Sequence, residues 1–134
     1  MGLVQLSKLD AMVSIRSKAA SAVTRKLADI GVSYCATDHM DTASNYKLIV
    51  HLRKGQRCDD IKARMREHGV ICGGGVYEIP CHQQPVFQDV FYDKGELAVT
   101  DEYCPRHICP PITSGTTTAD VTAINQALGK VLRG

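Results

Sequence analysis

The chain has 134 residues, 44% of them hydrophobic and 22% charged, with a formal charge of +2. That length suits one modest core, and the composition excludes both a disordered tract and a fibrous repeat. The small, scattered positive charge argues against nucleic acid as a partner.

The chain order of elements begins with Leu6, Leu9, Val13, Ala20, Val23, Leu27 and Ile30, spaced by three, four or seven and interrupted only by Arg16. This predicts a long amphipathic helix closed by Gly31 as a left-handed cap. The pattern starts at residue 1 without an N-cap, which leads us to expect a preceding segment. Tyr46, Leu48, Val50 and Leu52 then alternate with Lys47, His51 and Arg53, the mark of a half-buried strand ending at Lys54-Gly55.

A second helix is predicted from Asp59 through Ile61 and Met65 to Gly69, its two aspartates suiting the positive N-terminal end. Strands are expected at Val70 to Cys72 and Val76 to Ile79, with Gly73-Gly74-Gly75 as the bend or bulge between them. Gln84 to Phe91 reads as a short helix or turn and Glu96 to Tyr103 as a helix stopped by Pro105. Arg106 to Ile112 reads as an extended edge, because Pro110 and Pro111 exclude helix. Thr117 to Asp120 forms a capping-box variant before Val121, Ile124, Leu128 and Val131 on one helical face. The fold class expected is α+β, a small antiparallel sheet of about three strands covered by helices, in one domain over 1–134.

No stretch reaches the roughly 18 apolar residues of a membrane span, and no charged-then-apolar leader opens the chain, so a soluble, cytoplasmic protein is expected. In that setting the six cysteines (Cys35, Cys58, Cys72, Cys81, Cys104 and Cys109) are read as thiols. Cys104, His107 and Cys109, with Cys81 and His82, could supply metal ligands. The chain has no C-x2-C knuckle, however, and buried apolar thiols are the simpler account.

Cys81 and His82, adjacent on an extended segment, would point to opposite faces. A catalytic partner would therefore come from elsewhere, for example His107 or Asp101. A phosphate cradle at the three glycines would need a helix after them, and the run that follows, Val76-Tyr77-Glu78-Ile79-Pro80, is strand-like.

Three segments, taken in order, resemble one family. Gly2 to Asp10 resembles the GL-x-QL-x-KLD helix of the DegT/DnrJ/StrS pyridoxal-phosphate-dependent sugar aminotransferases. Ile79 to Phe87 is similar to their P-L-H-L-Q-P-x-Y segment, and Cys109 to Thr117 to their LPLYPGMT turn. The chain departs from those patterns at Gln83, Thr113 and Ser114.

The resemblance implies the small C-terminal domain of a fold-type I aminotransferase, without the large domain that carries the Schiff-base lysine and the cofactor's phosphate site. It implies that His82 contacts the sugar substrate, with Tyr77 a further candidate for lining the cleft. It also implies no cofactor bound by this chain alone, pyridoxal phosphate being bound by the parent enzyme, and no catalysis in isolation. The partner expected is a large domain or a second copy. The alternative is a stand-alone binding or oligomerising module.

Overall fold

The computed structural model describes residues 2–73, 79–87, 89, 90 and 95–133. Helices α1 (Gly2–Leu6) and α2 (Leu9–Asp29) open the chain. Strand β1 (Val50–His51) and helix α3 (Cys58–Glu67) follow. Then come two single 3-10 turns, Cys81–Gln83 and Pro85–Phe87, and the short helix α4 (Ala98–Tyr103). A further 3-10 turn, Cys104–Arg106, leads to β2 (His107–Ile108), and α5 (Thr118–Val131) closes the described chain.

The long N-terminal helix is broken once. Ser7 donates its hydroxyl to the Val4 carbonyl at 2.9 Å, and the amide of Lys8 bonds Gln5 rather than Val4. A serine bonding back into its own helix competes with the regular ladder and loosens it at that turn. Regular bonding resumes when Met12 N–H reaches the Lys8 carbonyl. Gly31 (φ +66°) and Gly69 (φ +77°) end α2 and α3 in the left-handed region, where a β-carbon would be strained.

Val23 and Leu27 of α2 pack with Ile124, Leu128 and Val131 of α5, and Ile61 and Met65 of α3 close the same core. The antiparallel sheet lies beneath them, with Val50 opposite Ile108 and His51 opposite His107. Leu48, Val50 and Leu52 are buried while Tyr46 is exposed, so the predicted alternation holds from Leu48 onward.

Among the described residues the sheet is shorter than three full strands. β1 and β2 are flanked by single bridges, Tyr34 to Val50 on one side and Gly73 to Cys109 on the other. The outer neighbour of β1 is the turn after α2, where Cys35 N–H bonds Ile49 and His51 N–H bonds Ser33. The first glycine of the triplet therefore bridges to the residue after β2. The strand expected at Val76 to Ile79 lies mostly outside the described residues, as does Tyr77.

Candidate functional site

His82 sits in the 3-10 turn Cys81–Gln83, not on an extended segment. Pro80 sets the entry, and the turn closes through Gln83 N–H to the Pro80 carbonyl (2.9 Å) and Gln84 N–H to the Cys81 carbonyl (3.0 Å). The Gln84 side chain adds a bond to the Ile79 carbonyl. A tight turn between two prolines thus replaces the two-faced strand geometry expected for Cys81 and His82, because fixed proline angles favour turning over pairing.

From this turn His82 Nε2 reaches Asp101 Oδ1 of α4 at 2.7 Å. A carboxylate accepts, so in this contact Nε2 is the donor, which favours the Nε2–H form of the ring. Gln83 donates its side-chain amide to the same oxygen at 2.6 Å. His82 keeps 12% of its side chain exposed and Asp101 35%, leaving an oriented imidazole at the surface edge.

A cleft of about 400 Å³ adjoins the pair, lined by Arg57, Cys58, Asp59, Pro80, Gln83 and Asp101 among others. Arg57, Asp59, Gln83 and Asp101 give the lining one cation, two carboxylates and an amide beside the apolar Ile79, Pro80 and Pro105. Such a mixture can hydrogen-bond a hydroxylated ligand while packing against its apolar faces.

Of His107 and Asp101, the sequence's examples of a catalytic partner for the Cys81–His82 pair, Asp101 meets His82, while His107 is 3% exposed and packs against Tyr103. Gln83, a departure from the family pattern, joins the site through the hydrogen bond that a leucine could not make. Thr113, another departure, organises the turn before α5: its N–H bonds Thr116 Oγ1 (2.8 Å), and its own hydroxyl accepts from Gly115 N–H (3.1 Å).

The cysteines form no disulfide. Burial pushes the thiols of Cys58, Cys104 and Cys109 up from their usual range and that of Cys72 up to about 11. Asp59 reinforces the shift at Cys58, and Asp101 and Cys81 reinforce it at Cys104. A nucleophilic thiol needs the opposite shift, so none of these four has the environment of an activated thiol. Among the described residues no three His, Cys, Asp or Glu side chains gather to hold a metal ion.

The architecture is that of a helix-covered α+β module, and solved aminotransferases share that fold. The chain matches the model of the DegT/DnrJ/EryC1/StrS aminotransferase family over residues 1–129, and it belongs to that family. DesI, solved in the presence of its TDP-sugar product, superposes with a TM-score of 0.85 at 18% identity, over 99% of this chain and 34% of that one. An aminotransferase from Psychrobacter cryohalolentis gives 0.82 at 19%, covering 97% and 36%. Helicobacter pylori PseC, an aminotransferase of pseudaminic acid biosynthesis, gives 0.80 at 20%, covering 98% and 35%. The chain therefore spans about a third of the length of the solved structures it matches. No curated protein matches it.

The family depends on pyridoxal phosphate. Covalent attachment of that cofactor needs a buried, easily deprotonated lysine. Among the described residues no lysine is buried, and the buried polar side chain is His107. These residues do not fit the cofactor's attachment site. Among them, too, no helix is long and apolar enough to cross a membrane.

Proposed function

We propose that this chain is the C-terminal small domain of a pyridoxal-phosphate-dependent aminotransferase, one that moves an amino group, typically from glutamate, onto a keto group of a nucleotide-linked sugar or a cyclitol. Alone it is inactive, and it is completed by a large domain that brings the cofactor. The family match over residues 1–129, set against coverage of only a third of the solved relatives, carries this reading.

In that enzyme His82 forms part of the substrate wall. Its ring is aimed by Asp101, and the cleft beside it offers Gln83 and Arg57 to sugar hydroxyls or phosphate oxygens. Tyr77 is the second contact proposed.

The test is spectroscopic. The purified chain mixed with pyridoxal phosphate is expected to show only the free cofactor's absorption, and a band from a lysine-bound cofactor would overturn the claim of inactivity. Supplying a large domain in trans should then produce amino transfer to a nucleotide-linked keto sugar. With the complex restored, His82→Ala is expected to raise KM for the sugar about tenfold, the cost of one hydrogen bond to a bound polar group.

A second reading, a self-associating or binding module derived from such a domain, is favoured by the apolar side chains of Leu3, Leu6 and Leu9, which stay exposed on the first helices.

A further inference from the structure

Asp101, which aims His82, stands on a helix that the core hardly holds. α4 is six residues long and buries none of its side chains; Val99 is 80% exposed. A helix this short is unstable in isolation, so something outside it must fix its position.

Besides the bonds that Asp101 itself makes to His82 and Gln83, two further side-chain contacts hold α4 among the described residues. One is the exposed Arg106–Glu102 bridge (2.8 Å), with Arg106 Nε also donating to the Glu102 carbonyl (3.1 Å). The other is Tyr103, the last residue of α4. Its ring stacks on His107 with centroids 5.5 Å apart and planes 13° apart, and meets His51 edge-on at 5.4 Å and 78°. His51 and His107 are cross-strand partners of β1 and β2, so the tyrosine is gripped by the most regular part of the sheet. Stacked and edge-to-face rings at these separations are the favoured aromatic geometries.

The grip relies on ring contact. His51 Nε2 and His107 Nδ1 are both buried with no hydrogen-bond partner among the described residues. Buried nitrogens left unpaired carry a cost, and two of them in one cross-strand pair suggest that the rings are kept for something other than stability.

We infer that Tyr103, held between His51 and His107, is a positioning residue that fixes α4 and thereby keeps Asp101 on His82. Residues two apart on a helix face different sides, so Tyr103 reaches down to the sheet while Asp101 reaches across to the 81–83 turn. The helix acts as a short lever between them. The idea rests on His82 being a substrate-facing group only for its functional meaning; the coupling itself is a property of this chain.

The experiment is done on the 134-residue chain without cofactor or substrate, so its outcome is independent of whether a sugar binds. Side-chain nitrogen NMR of His82 reports which ring nitrogen carries the proton. In the native chain it should report one tautomer, with Nε2–H bonded to Asp101. Tyr103→Leu, which keeps apolar bulk and loses the stack, should let the two tautomers average, whereas Tyr103→Phe should keep the native signature. Arg106→Gln, which removes the exposed bridge and the Nε bond to the Glu102 carbonyl, should keep it as well. If Tyr103→Leu fails to fold, His51→Leu removes one jaw of the clamp and should shift the same resonances in the same direction. A folded Tyr103→Leu or His51→Leu chain with native His82 resonances, or an Arg106→Gln chain that loses them, would sink the idea.

Discussion

His51 lies half-buried opposite His107 with Tyr103 packed between the two rings, and burial first, then His107, holds its imidazole below the ordinary value of 6.5. The unfolded chain therefore binds a proton that the folded chain refuses. Stability is complete above pH 6.5 and is lost as the pH falls from there toward the folded value. The other ionisable groups beside this cluster are His107 on β2 and the Tyr103 hydroxyl, itself kept protonated by burial and by the thiols of Cys35, Cys109 and Cys104. None of these supplies a negative charge at neutral pH to rescue a buried imidazolium. The urea midpoint should be lower at pH 5.5 than at pH 8 for the native chain, with a smaller difference for His51→Leu; equal differences would remove His51 as the cause. His82 entered as a candidate on the two prolines and the family pattern that surround it, but the sequence placed it on an extended segment and not in the 3-10 turn it occupies. Asp101 was legible only as one of two options, and the clamp on Tyr103 was not legible at all, since three residues on separate elements meet only after the sheet forms.

At the level of elements, α5 is the one whose local sequence states its own boundary. Thr117 Oγ1 accepts from Asp120 N–H at 3.2 Å, and Asp120 Oδ2 accepts from Thr117 N–H at 2.8 Å and from its hydroxyl at 2.7 Å. Those bonds hold the Asp120 carboxyl below its usual range. Thr117→Ala leaves the first-turn donors to water and should cost about 1 kcal/mol, read as a lowered urea midpoint, while Thr117→Ser should be near neutral. A native midpoint in the alanine variant would mean that α5 is held by core packing alone.

The strands were less legible. Alternation of Leu48, Val50 and Leu52 reports which face is buried, but the length of a strand depends on how many bonds its neighbours can return. Among the described residues β1 is bordered by a turn after α2 and β2 runs straight into a proline-rich stretch, so two residue pairs join β1 to β2 and a single bridge flanks them on each side. The helices were legible because their stripes and glycine stops act locally; the Ser7 break was missed because it depends on a hydroxyl turning back rather than on hydrophobic period.

Across the whole molecule, the apolar stripe read from the N-terminal helix divides in two. From Ala19 onward it enters the core, but α1 buries nothing, and Leu3 (84%), Leu6 (64%) and Leu9 (46%) stay in water. A row of exposed leucines on consecutive helical turns is a surface built for contact. The solved relatives are about three times as long as this chain; on the reading proposed above a large domain would cover this surface, and without it a second copy would be the nearest substitute. Light scattering across a hundredfold concentration range should therefore show the apparent mass rising toward roughly twice the monomer's. Leu3→Lys with Leu6→Lys should hold the chain monomeric over that range with an unchanged urea midpoint, because neither leucine contributes to the core. A native chain that stays monomeric throughout would count against self-association, and continued failure to bind an added large domain would then count against the parent-enzyme reading as well.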